Sequence, residues 1–119
     1  MSHRVAISVQ KKAGFASPVD PRFSRAPAFV IIDSQTGKMV AQLDNVGARA
    51  LHGAEKGAAM TMTNNAVDAV ISGGFDSPAY KSLSFLDIDM WTISEPVTAK
   101  DAFDLYLKRE LRKLNLKAL

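Results

Sequence analysis

The sequence predicts an α/β domain with a mixed five-stranded sheet flanked by helices. In the second half of the chain, short apolar runs alternate with segments of helical period, a pattern typical of β-α-β crossovers. In the first half, two apolar runs are separated by the turn Ser34–Gly37, which indicates an antiparallel hairpin. The length of 119 residues fits one domain, residues 1–119. The predicted order is therefore β-β-β-α-β-α-β-α.

Five segments have the character of strands. Arg4–Gln10 alternates between apolar and polar side chains, whereas Ala28–Asp33 is an almost continuous apolar run that we expect to be buried on both faces. Lys38–Asp44 follows the turn and forms the second arm of the hairpin. The last two strands are expected at Val67–Ser72 and Ile88–Ile93.

Three helices are expected between and after these strands. Gly53–Asn64 has apolar residues at helical spacing, and Asn65 is expected to end it in a left-handed conformation. Pro78 suits the first position of a short helix that ends near Phe85. Thr98–Leu114 begins like a capping box and continues with an apolar stripe and a basic, solvated side.

The composition excludes several kinds of site. Cysteine is absent, so disulfides, thiolate metal sites and cysteine-ligated iron–sulfur clusters are ruled out. A formal net charge of +3 without dense Lys/Arg clustering makes nucleic acid an unlikely partner. No apolar run reaches the roughly 18 residues of a membrane span, and the N-terminus does not resemble a signal peptide. We therefore expect a cytoplasmic protein without a membrane partner.

The segment Ser17–Pro27 is the first candidate binding element. Three prolines stiffen it, and it presents Arg22 and Arg25 close together. Guanidinium groups are forks of donors that stay charged, so this loop is suited to holding an anion. Lys11 and Lys12 add positive charge nearby in the sequence, and Ser17 begins the segment.

The second candidate is His52-Gly53-Ala54, at the start of the first predicted helix. The first backbone N–H groups of a helix lack intrahelical partners and attract anions, and small residues let a large ligand approach the backbone. A neutral imidazole is a common metal ligand, so His52 is the candidate metal ligand. The alternative is a histidine that hydrogen-bonds to a loop carbonyl.

The third candidate is the loop that begins with Gly73, Gly74 and Phe75, between a strand and a helix. Ligands of open α/β sheets bind beyond the carboxyl ends of strands, where this loop lies. Phe75 and Phe23 could then provide an apolar wall. The alternative is a tight turn that requires glycine. The segment is neither a dinucleotide fingerprint nor a phosphate-binding loop of the Walker type.

A catalytic site is not indicated. The chain has two histidines and no serine in a nucleophile-elbow motif, so a hydrolytic triad is not supported. The acidic residues are scattered, although the spacing alone does not exclude a site built from Asp33, Asp68 and Asp76. A hydrolase would require such carboxylates to cluster at strand ends.

The three candidate segments, in this order, resemble the dinitrogenase iron–molybdenum cofactor biosynthesis family, which includes nitrogenase cofactor carriers and molybdenum–copper orange proteins. Ser17–Phe29 looks like the family's S-x-R-F-G-R-A-P-x-F signature, and His52–Ala54 matches the start of H-G-A-G. Val67–Gly74 matches the strand motif G-V-D-V-V-I-x-G. The departures, each at a position where the family commonly has glycine, are Ser24, Glu55 and Ala66.

The resemblance implies a ribonuclease H-like fold that binds a preformed, sulfide-bridged metal cluster and performs no catalysis. It also implies that His52 is a direct or near ligand. Such a cluster is a bulky anion with its own bridging ligands, so the absence of cysteine is compatible with binding it. A molybdenum–copper sulfide cluster is favoured slightly over an iron–molybdenum cofactor or precursor. A protein partner for cluster transfer would follow from a carrier role.

An alternative function belongs to a different class. In it the domain is an interaction or regulatory module whose basic loop binds an acidic partner or nucleic acid. Binding of that kind would weaken steeply with salt.

Overall fold

The computed structural model describes residues 3–114 and confirms the mixed α/β class. The elements are β1 (Arg4–Val9), β2 (Ala28–Asp33), β3 (Met39–Asp44), α1 (Ala54–Asn64), β4 (Val67–Ser72), α2 (Ser77–Phe85), β5 (Asp89–Thr92), α3 (Ala99–Leu107) and β6 (Arg112–Lys113). Within residues 3–114, no helix combines the length and the apolar character needed to cross a bilayer.

The sheet has six strands, one more than predicted, in the order β3-β2-β1-β4-β5-β6. β1 pairs with β2 in antiparallel fashion and with β4 in parallel fashion, and β4 and β5 are also parallel. The hairpin of β2 and β3 closes through the amide of Gly37, which donates to the carbonyl of Asp33 over 2.7 Å. The predicted hairpin and crossovers are therefore both present.

Helices cover both faces of the sheet. Along β1, Val5 and Ile7 face the side on which α3 packs, whereas Ala6 faces the side covered by α1 and α2. This alternation follows from the two-residue period of a strand. β2 is therefore buried on both faces, as its continuous apolar run predicted, and β1 is buried on both faces as well, although its alternating sequence did not predict it.

The prediction that the third helix continues to Leu114 is wrong, because α3 ends at Leu107. Arg109 takes a left-handed conformation (φ 60°), and the amide of Glu110 donates to the carbonyl of Leu105 over 2.9 Å, as in a Schellman motif. Leu111 is buried beyond this turn rather than in the helical stripe. The chain then adds β6 to the edge of β5.

The left-handed C-cap predicted at Asn65 is also wrong. Asn65 has φ −109°, and the left-handed residue is Ala66, with φ 53°. The side chain of Asn65 instead donates to the carbonyl of Thr61 over 2.8 Å. The amides of Asn65 and Ala66 also donate to the carbonyls of Met62 and Thr63, and the left-handed residue lies one position later than predicted.

The loops that follow β1 and β4 meet at one edge of the sheet, because these parallel strands end there. The amide of Gln10 donates to the carbonyl of Pro18 over 2.9 Å, and that of Gly73 donates to the carbonyl of Asp20 over 3.1 Å. The segment Ser17–Pro27, called the arginine loop below, therefore lies along the carboxyl edge of β1 and β4.

Candidate functional site

The arginine loop and the glycine turn after β4 are in direct contact. The amide of Phe23 donates to the carbonyl of Gly74 over 3.0 Å, and the amide of Asp20 donates to the carbonyl of Ser8, in β1, over 2.8 Å. Two of the three segments singled out in the sequence are thus brought together at the edge of the sheet.

Gly73 and Gly74 allow the backbone of the arginine loop to approach closely. A Cβ atom at Gly73 would lie 2.4 Å from Cα of Pro21, and one at Gly74 would lie 2.9 Å from the carbonyl oxygen of Pro21. Neither residue is among the glycines with positive φ in residues 3–114. The space that glycine leaves here is therefore filled by Pro21, and a binding role for the two glycines stays a prediction.

Arg22 forms an ion pair within the loop. Its Nε lies 3.3 Å from Oδ1 of Asp20, and its backbone amide donates to the same oxygen over 2.8 Å. Asp20 is buried, whereas the side chain of Arg22 faces solvent. The sequence analysis did not single out Asp20, although aspartate side chains in loops often accept a hydrogen bond from the backbone amide two residues later, in an Asx turn. The ion pair reduces the charge that Arg22 offers to an anion.

Arg25 connects the arginine loop to the connection that leads to the second candidate segment, His52-Gly53-Ala54. Its Nη1 donates to the carbonyl of Ala48 over 3.1 Å and also to the carbonyl of Ala50. Ala50 lies two residues before His52. The guanidinium group therefore holds the connection between β3 and α1, residues 45–53, against the loop.

Asn45 provides a second, buried connection between the same two segments. Its Nδ2 donates to the carbonyls of Ser24 and Ala26, over 3.0 and 2.9 Å. Sequence reasoning did not single it out, because a polar residue in a polar connection gives no signal of burial.

We expect Asn45→Ala to lower the free energy of unfolding by about 1–3 kcal/mol, because two buried carbonyls lose their donor. Urea denaturation measures the change. Asn64→Ala is the control: Asn64 is exposed in α1, and its replacement should change stability by no more than about 0.5 kcal/mol. Equal effects of the two substitutions would contradict the structural role of Asn45.

The side chain of His52 is exposed to solvent. Within residues 3–114 it makes no hydrogen bond or ion pair, so the structure does not show the alternative of a histidine held by a loop carbonyl. Gly53, with φ 79°, is the N-cap of α1 and supplies no side-chain cap. Among the described residues, the amides of Ala54 and Glu55 have no acceptor, whereas the next amide, of Lys56, donates to Gly53.

Two features of the start of α1 oppose a simple anion site. Glu55 adds a negative charge to the first turn. Ala54 is buried as a whole residue, at 2% exposed, so neither its side chain nor its amide presents an open surface to a ligand.

Of the other polar residues predicted to bind a ligand, Lys12 and Ser17 have partners within the chain. Lys12 pairs with Asp44, with Nζ 3.1 Å from Oδ1, whereas Lys11 is exposed and has no partner among the described residues. Ser17 is buried, and its Oγ donates to the carbonyl of Gly14 over 2.7 Å. Of these three residues, only Lys11 therefore has its functional group free.

Phe23 belongs to the core rather than to an exposed wall. It is 1% exposed, and its ring lies 5.5 Å from the rings of both Phe29 and Phe75. Phe75 is only partly buried and covers the outer side of this stack. Of the two aromatic residues predicted as a wall, only Phe75 reaches the surface.

Exposed apolar side chains lie instead on the segment that carries His52. Val46 is 96% exposed and Leu51 is 90% exposed. The sequence reasoning missed them because the segment has neither strand nor helix period. They give the connection 45–53 exposed apolar surface, and Leu51 directly precedes His52 in the sequence.

The carboxylates considered for a hydrolase have separate structural roles. Asp33 accepts from the amide of Gln35 in the hairpin turn, and Asp76 caps α2 by accepting from the amide of Ala79. Within residues 3–114, no group of three or more His, Cys, Asp or Glu side chains could hold a metal ion. The described part of the chain thus offers cations, amides and one imidazole at the edge of the sheet, without a carboxylate cluster.

Asp68 takes part in a polar cluster at the amino ends of β1 and β4, away from the arginine loop. Its Oδ2 lies 3.5 Å from Nδ1 of His3 and accepts from the amide of Arg4, and Nε2 of His3 lies 3.1 Å from the hydroxyl of Tyr106. Burial raises the pKa of Tyr106, and the carboxylates of Asp89 and Asp68 raise this pKa further. His3 is thus held by contacts within the fold and lies apart from His52.

Comparison with known proteins indicates a small cofactor-binding or carrier protein, and no catalytic family is indicated. The chain belongs to the family described as dinitrogenase iron-molybdenum cofactor, whose model matches residues 3–109. A search of curated proteins finds no match.

Solved structures agree with this family. The apo orange protein from Desulfovibrio gigas has a TM-score of 0.88 and 25% identity, with 96% of this chain and 94% of that chain covered. A putative NifB protein from Thermotoga has a TM-score of 0.82 and 25% identity, with 100% and 98% covered. A putative dinitrogenase from Methanocaldococcus jannaschii, at 16% identity, a TM-score of 0.67 and 96% coverage of both chains, shares the fold.

Proposed function

We propose that the chain binds or carries a sulfide-bridged, molybdenum-containing metal cluster of the Mo–Cu or Fe–Mo type, without catalysing a reaction on it. The family and the likeness to an orange protein support this cargo. The observation that carries the proposal is the contact of Arg25 with Ala48 and Ala50, because it fastens the segment that ends at His52 to the arginine loop.

The groups at the carboxyl edge of β1 and β4 are better suited to a metal–sulfide cluster than to a bare metal ion. Within residues 3–114, no group of three or more His, Cys, Asp or Glu side chains could hold a metal ion, and a single imidazole is too few ligands for a tightly held one. A cluster that brings its own sulfide bridges is a soft anion, and it needs a few hydrogen-bond donors, positive charge and an apolar surface.

Each requirement has a candidate group in the chain. The imidazole of His52 would supply the one protein–metal bond, and the amide of Glu55, which has no acceptor among the described residues, would donate a hydrogen bond. Arg22, exposed beside Asp20, would supply charge. Leu51, with Val46 on the same connection, would supply the apolar surface.

Anaerobic isolation and reconstitution test the proposal. Protein incubated with tetrathiomolybdate and Cu(I), or with an iron–molybdenum precursor, should acquire visible charge-transfer absorption and retain metal and sulfide through gel filtration. Elemental analysis then gives the metal composition and separates the two cluster types. Protein that stays colourless and free of molybdenum with both preparations would contradict the proposal.

We expect His52→Ala to weaken cluster retention by at least about tenfold, the factor that corresponds to about 1.4 kcal/mol. The physical reason is the loss of the one protein–metal bond. His3→Ala is the matched control, because His3 lies at the other end of β1 and binds Asp68 and Tyr106. If the His52 variant retained the cluster as well as the His3 variant does, His52 would not be a metal ligand, and the cluster would be held by charge and amides alone.

No observation favours the alternative of an interaction module that binds through a basic loop. Lys12, Arg22 and Arg25 all have partners within the chain. An acidic partner or nucleic acid, like the cluster at Arg22, would have to compete with Asp44, Asp20 and backbone carbonyls for these cations, and Lys11 is the one predicted cation without a partner among the described residues.

A further inference from the structure

A wide groove runs over the outer surface of α1 and α2, away from the candidate cluster site. The two helices pack side by side on one face of the sheet, and the groove between them has a volume of about 620 Å³. Ala59 forms part of its floor, and Met60, Phe85 and Leu86 line it with exposed apolar surface. The side chain of Phe85 is 88% exposed, although it is large and fully apolar.

The spacing of the lining residues is that of a helical packing surface. Lys56, Ala59, Met60 and Thr63 line the groove from α1 at intervals of three and four residues, so they form one stripe along the helix. Seven residues from the first to the last of them correspond to about 10 Å of helix length. The groove is therefore long enough to bind about two turns of a third helix.

The charge of the groove is entirely positive. Lys56 lines it from α1 and Lys81 lines it from α2, and no carboxylate is among its described lining residues. Within residues 3–114, neither ammonium group has an ion-pair partner. An apolar floor between two unpaired lysines is complementary to an apolar helix face flanked by Asp or Glu.

A second copy of the chain and a small amphiphile fit the groove less well. In a symmetric dimer through this face, each groove would meet a surface of the same positive charge. Phe85 lines the groove and is 88% exposed, so a small ligand would cover only part of its ring. A helix is about 10 Å wide with its side chains and would cover that ring.

We propose that this groove, called the α1–α2 groove, docks an acidic amphipathic helix of a partner protein. Apolar residues of that helix at i, i+3, i+4 and i+7 would pack on Ala59, Met60 and Phe85, and acidic residues at the edges of its apolar face would pair with Lys56 and Lys81. The proposal concerns a surface separate from the arginine loop, so it does not depend on what the chain carries.

Selection from a displayed library of helical peptides tests the proposal. The full chain is the bait, and the Phe85→Asp variant, changed at an exposed residue, is the counter-selection bait. We expect enriched peptides with leucine or other apolar residues at helical spacing, flanked by Asp and Glu. Failure to enrich any peptide over the Phe85→Asp bait, or enrichment of basic or uncharged peptides, would overturn the proposal.

Binding of an enriched peptide is then measured by fluorescence anisotropy with single variants of the full chain. We expect Phe85→Ala to weaken binding at least about tenfold, as for a central apolar contact, and Lys81→Glu to weaken it with a reduced salt dependence. Lys108→Glu is the matched charge control, because Lys108 caps α3 on the opposite face of the sheet. An equal effect of Lys108→Glu and Lys81→Glu would mean that the peptide responds to the net charge of the chain rather than to the position of Lys81, and it would overturn the proposed site.

Two further measurements decide between occupants. Sedimentation of the wild type and of Phe85→Asp should show the same oligomeric state, and vesicles containing phosphatidylserine should not bind the chain through Phe85. Self-association or vesicle binding that Phe85→Asp abolishes would overturn the proposal in favour of a second copy or a membrane surface.

Discussion

Phe23→Ala should lower the free energy of unfolding by about 3–5 kcal/mol, the usual cost of removing a fully buried phenylalanine. The ring of Phe23 is 1% exposed and lies 5.5 Å from each of two other rings, those of Phe29 and Phe75. Phe29 belongs to β2 and Phe75 follows β4, so this ring joins the arginine loop to two separate parts of the fold. Removing it leaves a cavity that neighbouring strands cannot easily close.

Phe85→Ala provides the control for Phe23→Ala. It removes the same side chain from an exposed position in α2 and should change stability by no more than about 0.5 kcal/mol. Urea denaturation of both variants, followed by circular dichroism, measures the difference. A loss below about 1.5 kcal/mol for Phe23→Ala, far under the usual range, would mean that the loop does not pack through this ring.

The second large effect is expected from Gly73→Ala, which should lower the free energy of unfolding by about 3 kcal/mol, the upper part of the range for overpacking. The new methyl group would lie 2.4 Å from Cα of Pro21. Because the nearest atom belongs to the backbone, no rotamer change relieves the contact, and the arginine loop must move. We therefore expect Gly73→Ala also to reduce cluster retention, since Arg22 and Arg25 would be displaced with the loop.

Gly57→Ala separates the effect of this contact from the general effect of replacing glycine. Gly57 lies inside α1, and a Cβ atom there would have no neighbour within 4 Å. Alanine is the better helix former, so this variant should be more stable by about 0.5–1 kcal/mol. Thermal and urea unfolding of both variants should thus give changes of opposite sign, and changes of the same sign would contradict the proposed contact with Pro21.

The fold was largely predictable because its elements have clear local patterns. The alternation in β1, the continuous apolar run in β2 and the hairpin turn between β2 and β3 are each recognisable within a few residues of sequence. The C-terminal region was predicted less well. Leu107 and Leu111 are four residues apart and suggest one helical stripe, yet Leu107 is 53% exposed and Leu111 is buried beyond the end of α3.

The candidate site was predictable in part. The sequence singled out the arginine loop, and the structure brings it into contact with the glycine turn and the segment before His52. It gave no reason to expect that Asp20 would pair with Arg22 or that Arg25 would bind backbone carbonyls. Which of these residues touch a cluster stays a prediction.

By itself, the sequence determined the strand and helix periods, the order of the three motif segments and the exclusion of thiolate ligands, because each is a property of the chain alone. Only the tertiary structure decided which charges remain free, why Gly73 must be glycine and where Phe23 packs. Those properties depend on neighbours distant in sequence, such as Pro21 for Gly73 and Phe75 for Phe23. Local patterns do not specify such neighbours until the sheet brings them together.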